Sequence, residues 1–468
     1  MINFLLFFLA SLIFSLGLIL IRTRFYQLSE NTLKQLNTLL NDQLPDKEKQ
    51  QLILTNTKTL LTSTFVFLFS LLVVLVAALL PFLLYHLLIS DLSGAIKVKS
   101  TVAIVAVLFG GSLPFLLMNF WMPQRKDYSE LSMLLHRLIL NNYYVSKMLF
   151  RLDKRFNKRK LKHANERFVI VSGLARSGTT GLATLLSESE SFHYLQYSNM
   201  PFLLCPNIWK KLRMGQRQNP KERMHGDKMF ISYNSIEALE EYFFKVFTND
   251  AYIKEKTLLK HDVDDEVYDQ YLQYQRLIRW KFDSPSLYLA KNNNLILRYD
   301  SMRQKNKSFI AIFLFRDPIE HASSLLNQHI RFSDIHLEDP FALEYMNWLG
   351  HYEFGLNQKS FQLVDEYINI FQDRFTLDYW LETWVNYHEY LLNFVDDENL
   401  ILISYTDLLL QPDQLISTLE QKLQITFPFN GVNSFEKSQP LNKEECNDIL
   451  LKRADEVYQK LLSAKLNT

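Results

Sequence analysis

The sequence predicts an α/β domain built on a mostly parallel sheet, set behind an N-terminal region of membrane-spanning helices. Three observations predict it. Three runs near the N-terminus are free of Asp, Glu, Lys and Arg over roughly one bilayer span. Beyond about residue 166, short β-rich apolar runs alternate with helical stretches, the pattern of a parallel sheet covered on both faces. One of those apolar runs ends in a glycine-bearing loop that opens a helix.

The charge-free runs are 2–21, 62–89 and 102–121, and 1–122 is expected to form a membrane region of three spans. The third holds Gly110, Gly111 and Pro114, which membrane helices tolerate when neighbouring helices satisfy the freed backbone groups. The first run lacks a basic leader and a small-x-small cleavage site, so an uncleaved anchor is expected rather than a signal peptide. Positive charge gathers in the first loop (Arg22, Arg24, Lys34, Lys47, Lys49, Lys58) and again after the third run, whereas the second loop has only Lys97 and Lys99. That asymmetry puts the C-terminal bulk on the cytoplasmic side.

Residues 123–165 are expected to form a basic amphipathic bridge. A helix is read over 128–150, and it runs into Lys147, Arg151, Lys154, Arg155, Lys158, Arg159, Lys160 and Lys162. In the remaining 166–468, buried strands are read at 168–172, 294–299, 309–315 and 399–405, and helices at 235–247, 377–395 and 415–425. HDVDDEV (261–267) reads as a solvated acidic turn.

Overall charge excludes little chemistry but argues against a nucleic-acid partner: 51 Lys+Arg oppose 50 Asp+Glu. Two distant cysteines, Cys205 and Cys446, offer neither a disulfide framework nor metal-ligand spacing, and no metal is expected.

The most informative segment is FVIVSGLARSGTTGLATLL (168–186). Glycines at 173 and 178 let the backbone curl so that N–H groups point inward, and the helix start adds partial positive charge, giving an anion cradle. A nucleoside-triphosphatase loop would place Lys after the second glycine. Here Thr179 follows Gly178 and the cation stands earlier, at Arg176. That disfavours an ATP-dependent phosphotransferase, the main rival enzyme.

ARSGTT (175–180) resembles the 5′-phosphosulfate-binding loop of sulfotransferases that use 3′-phosphoadenosine-5′-phosphosulfate (PAPS). FIAIFLFRDPIEHASSLLNQH (309–329) resembles the family's 3′-phosphate element, with Arg316 followed eight residues later by Ser324. Stretches 221–241, 288–301 and 345–355 are similar to a bacterial branch of the family, and the resemblance covers about 165–425.

The resemblance implies a P-loop, nucleotide-kinase-like parallel sheet flanked by helices, the sulfotransferase fold. It implies PAPS as donor and a hydroxyl acceptor. The expected anchor, at a bacterial-type inner membrane, would place the domain beside a lipid or glycan acceptor, although anchoring also serves a small-molecule one. Arg176, Ser177, Gly178, Thr179 and Thr180 would hold the 5′ end, and Arg316 and Ser324 the 3′-phosphate. A catalytically silent membrane scaffold is the rival from another class, opposed by the intact cation, glycine and hydroxyl positions of both motifs.

Families with this fold take the acceptor's proton with a histidine or a glutamate. The glutamate that often stands about twenty residues past the loop cation is missing from LQYSNMP (195–201). His225 is therefore the expected base, with Asp227 near enough in sequence to orient it, because a neutral imidazole titrates near cytoplasmic pH. Glu240 and Glu241 are the runners-up. His351 and Glu353 are candidates for the acceptor pocket, Lys291 and Asn292 for contacts with the donor or the acceptor, and Tyr405 for packing against the donor or the core. His321 and His329 are read as packing residues.

Overall fold

A computed structural model of the protein describes residues 2–40, 45–89, 101–121, 130–161, 167–212, 221–222, 230–231, 236–279, 286–364, 369–426 and 446–466. The chain divides into two compact units, Met1–Leu134 and Leu135–Thr468.

The first unit consists of α1 (Ile2–Leu40), α2 (Asp46–Ile89) and α3 (Thr101–Trp121). Two stretches, Phe4–Leu36 and Lys47–Leu87, are long and apolar enough to cross a membrane, and α3 carries a shorter apolar stretch, Val102–Pro114. Small residues let these helices close on one another. A Cβ on Gly17 would stand 2.5 Å from Val74 Cγ1, and one on Gly110 would stand 2.4 Å from the Phe8 carbonyl oxygen. The outer faces are apolar: Leu20, Phe65, Leu87 and Phe109 are 65–79% exposed. A contiguous surface of this kind is unfavourable in water and natural against hydrocarbon.

The helix read over 128–150 is two helices, α4 (Glu130–Leu140) and α5 (Tyr143–Phe156). The break comes from Asn142, whose backbone is extended and whose side chain accepts from Val145 N at 3.0 Å, the geometry of an N-cap.

The core is a parallel sheet of β1 (Phe168–Ser172), β2 (Phe192–His193), β3 (Leu287–Lys291), β4 (Ile310–Phe315) and β5 (Leu400–Ser404). Its order is β2-β3-β1-β4-β5, with Val169 paired to both Leu289 and Ile310, and Phe313 to Leu402. All five strands are buried along their length, which explains the continuous apolar runs of β1, β4 and β5. Leu182 and Leu186 of α6 (Thr179–Ser187) close the sheet together with Leu415, Leu419 and Leu423, which belong to the helix Pro412–Leu423. Each such side chain contributes about 1.5–3 kcal/mol on full burial.

The expected α/β class with a parallel sheet is therefore the observed one, with one strand misplaced. Residues 294–299 form no strand. Leu295–Leu297 is a 3-10 turn, a helix begins at Tyr299, and the strand is the shorter Leu287–Lys291. Asn292 Oδ1 accepts from Asn294 N at 2.9 Å, and this side-chain turn competes with an extended backbone. The helices expected at 235–247, 377–395 and 415–425 occur as Glu241–Thr248, Leu377–Leu391 and Pro412–Leu423. The acidic turn ends in Asp264, which caps the helix Asp265–Ile278 by accepting from Val267 N at 2.7 Å.

In open parallel sheets, ligands bind beyond the carboxyl ends of the strands. Four segments gather at that edge here: 173–178 after β1, 292–294 after β3, 316–318 after β4 and Tyr405 after β5.

Candidate anion-binding site at the carboxyl edge of the sheet

The loop after β1 is tightly curled. Ser177 N donates to the Leu174 carbonyl at 3.2 Å, and three residues have positive φ: Gly173 at 150°, Arg176 at 70° and Gly178 at 98°. Neither glycine has room for a side chain. A Cβ on Gly173 would meet the Leu314 carbonyl at 2.6 Å, and one on Gly178 would meet the Tyr405 ring at 2.5 Å. Gly178 caps α6 without a side-chain hydrogen bond, so the first-turn N–H groups at Thr179 and Thr180 begin the helix at the loop. Ser177 is fully buried, and its hydroxyl has no hydrogen-bond partner among the described residues. A buried hydroxyl left without a partner is costly.

The second motif is built by its own residues. Arg316 directly follows β4, Asp317 caps α7 (Pro318–Glu338) by accepting from Glu320 N at 2.9 Å, and Pro318 supplies the preset φ of the first turn. The first turns of α7 then point Glu320, His321 and Ser324 to related faces. Arg316 pairs with Glu320 at 3.0 Å and lies over the Tyr405 ring, 5.0 Å from its centroid.

The two motifs meet. Arg176 Nε donates to Ser324 Oγ at 3.3 Å across 148 residues of chain. Tyr405 lies between them, packed on Gly178 and beneath Arg316. Burial raises the Tyr405 phenol above its ordinary pKa, against the opposing pull of Arg316 and Arg176.

His321 is fully buried behind the loop, with Nε2 2.7 Å from the Ala175 carbonyl oxygen, and burial holds its pKa well below the usual value. A neutral ring donating from Nε2 satisfies that geometry. Packing was the expected role for His321; the structure adds that it pins the residue before Arg176. His329 packs against Phe375 and Trp380, as expected.

On the opposite flank, Thr179 Oγ1 lies 3.5 Å from Asn293 Oδ1, and Asn293 Nδ2 donates to Glu353 Oε1 at 3.2 Å. Glu353 is half-buried and lines a small, water-sized cavity together with Leu174, Ala175, Asn294 and Lys359. Sequence reasoning missed Asn293, although it named its neighbours Lys291 and Asn292. The signal was available in the position, within the carboxyl-edge turn that follows β3.

Glu240 and Glu241, the runner-up bases, are both buried and hydrogen-bonded. The Glu240 carboxylate accepts from the Tyr288 hydroxyl at 2.9 Å, from Asn292 Nδ2 at 3.0 Å and from the Tyr271 hydroxyl. Glu241 makes a buried bidentate pair with Arg298, both contacts at 2.7 Å, and also accepts from Tyr252. Their oxygens are engaged by side chains of the core. His351 is likewise engaged, with Nε2 2.8 Å from the Ala238 carbonyl oxygen. His225 and Asp227 lie outside the described residues.

No family model and no curated protein matches the sequence. Among solved structures the chain is similar to bacterial sulfotransferases at low identity. One from Mycobacterium tuberculosis is 11% identical, with a TM-score of 0.38, over 76% of this chain and 92% of that one. One from Mycobacterium avium is 12% identical, with a TM-score of 0.37, over 69% and 77%. One from Alicyclobacillus acidocaldarius is 13% identical, with a TM-score of 0.32, over 64% and 94%.

Proposed function

We propose that the protein is a membrane-anchored, PAPS-dependent sulfotransferase acting on a hydroxyl of a lipid, a saccharide or a small molecule. The observation that carries this reading is the contact between Arg176 and Ser324, which joins two phosphate-type motifs into one site. A ligand with anionic groups at two ends suits such a site. The partnerless Ser177 hydroxyl and the glycine-tight loop fit its 5′ end.

The donor supplies an activated sulfuryl group on a phosphate leaving group. Arg176, Ser177, Thr179, Thr180 and the N–H groups at Gly178 and the helix start neutralise charge that grows on that phosphate, acting where preorganised donors are worth most. Arg316 and Ser324 bind the 3′-phosphate, and the Arg316 guanidinium suits that role as a planar, permanently charged donor. Arg316 must then share or exchange its partner Glu320. The acceptor oxygen forms the new bond to sulfur as the bond to the 5′-phosphate breaks. The acceptor proton passes to a base, for which we retain His225. Glu353, held by Asn293 beside Thr179, is the carboxylate placed to orient the acceptor hydroxyl. The apolar helices α1, α2 and α3 anchor the chain in a bacterial-type inner membrane with the catalytic unit in the cytoplasm.

The test is ligand-dependent thermal stability of the full chain in detergent. PAPS at a hundredfold excess over Kd stabilises by about 2.7 kcal/mol, and ATP with magnesium does not. Stabilisation by ATP with magnesium and not by PAPS would establish the phosphotransferase reading instead.

A further inference from the structure

Helix α5 presents two faces of different character. Its inner face is fixed to the body of the second unit. Phe150 packs edge-on against Phe243, Phe247 and Tyr274, and buried Asp153 accepts from both Asn207 N and Nδ2 at 3.1 Å. Ser146 donates to the Ile139 carbonyl at 2.8 Å. The helix therefore has no freedom to roll.

The outer face is apolar at a strict four-residue interval. Tyr144, Met148, Leu152 and Phe156 are 52, 40, 37 and 67% exposed. At 100° per residue these four span one continuous arc of about 120°; Arg155 falls within it, between Tyr144 and Met148 in projection, and Arg151 flanks it about 20° beyond Tyr144. Lys158 and Arg159 continue the exposed cations past the helix end. Other cations of the region are occupied elsewhere: Lys154 donates to Gln270 and Gln273, and Lys160 to Asn207 and to the Leu277 and Arg279 carbonyls. The exposed apolar arc has thus kept a set of outward arginines, and it carries no outward carboxylate.

We infer that this face of α5 docks in the plane of an anionic bilayer, burying Tyr144, Met148, Leu152 and Phe156 at the acyl boundary with Arg151, Arg155, Lys158 and Arg159 on lipid head groups. An apolar stripe laced with arginine is the composition of an interfacial helix. Its charge complements an anionic leaflet, where each cation near the surface strengthens attachment roughly fivefold. Chain connectivity favours the same occupant, because α5 begins only 22 residues after α3 ends. A soluble acidic protein would satisfy the cations but has no such tether. The inference rests on the bilayer anchor proposed above and adds a second attachment, one that fixes which side of the catalytic unit faces the lipid.

The test uses the full chain, with Cys205→Ala and Cys446→Ser, spin-labelled at Met148→Cys, Leu152→Cys or Phe156→Cys and reconstituted in nanodiscs. A label at Ile449→Cys, 81% exposed, is the aqueous control. The expected result is oxygen accessibility exceeding nickel-chelate accessibility at the three α5 sites once phosphatidylglycerol is present, with the control unchanged. Arg151→Gln with Arg155→Gln then lowers the docked-to-undocked ratio on the order of 25-fold, whereas the two Arg→Lys changes preserve docking and report an intact fold. Labels that stay nickel-accessible in anionic discs would overturn the docking alone. So would dipolar broadening between copies, or protection already complete in detergent, which assign the face to a second chain or to the protein itself. Failure of the chain to integrate into nanodiscs would overturn the anchor and the docking together.

Discussion

Arg176 reaches Ser324, Nε to Oγ at 3.3 Å, and so connects the loop after β1 to the helix after β4. A shared site makes the two side chains energetically dependent. Arg176→Ala is expected to lower sulfuryl transfer about 10²–10³-fold. The double variant with Ser324→Ala is expected to depart from additivity by about 0.5–3 kcal/mol in PAPS binding, measured by calorimetry. Strict additivity would show that the residues serve separate ends of the protein.

Gly178→Ala tests the loop's shape. The residue has φ of 98°, and a Cβ there would strike Tyr405. The backbone term alone is about 1–3 kcal/mol, so denaturant titration should show a loss of at least that size. PAPS affinity should fall as well, since Tyr405 also underlies Arg316.

Acid should destabilise the second unit through its buried histidines. His321 lies well below its ordinary pKa and His388 is pushed down to about 4, in both cases chiefly by burial, and the two rings are 6.3 Å apart. The unfolded chain binds protons at about pH 6.5 that the folded chain refuses. Stability is therefore complete above that value and is lost as pH falls toward 4, by up to about 1.4 kcal/mol per pH unit per histidine. His388→Phe should flatten this slope in unfolding curves taken between pH 7 and pH 5.

Breaking the buried pair of Glu241 with Arg298 should be severe. Glu241→Ala leaves a guanidinium with almost no exposure and no bidentate partner, at a cost of about 3–5 kcal/mol. Thermal unfolding monitored by circular dichroism checks this. A change of less than 1 kcal/mol would mean that water reaches Arg298.

Glu353→Gln separates orientation from folding. The amide keeps the size of the side chain and its contact with Asn293, so PAPS binding should stay the same while turnover drops about 10²-fold. Equal loss in both would assign Glu353 to the structure of the cavity.

The loop and the second motif were legible because their chemistry is local. Glycine at tight φ, a hydroxyl cluster at a helix start, and an Asp-Pro cap all leave their mark in adjacent residues. The break at Asn142 was legible in the same way and was passed over, because the apolar periodicity of 128–150 runs on across it. Strand Leu287–Lys291 was hidden for a different reason. NLILRY has the stronger apolar run, and only the turn formed by Asn292 and Asn294 diverts it from the sheet. The engagement of Glu240 and Glu241 could not be read at all, because Tyr271, Tyr288 and Arg298 reach them from distant parts of the chain.

The strand order has a temporal side. β3 sits between β1 and β2, yet it is translated after both of them. About 95 residues separate β2 from β3, which at ribosomal speed is roughly 5–20 s. Throughout that interval the two earlier strands can hold only a gap between them. A strand edge left open for that time is a template on which another chain can pair.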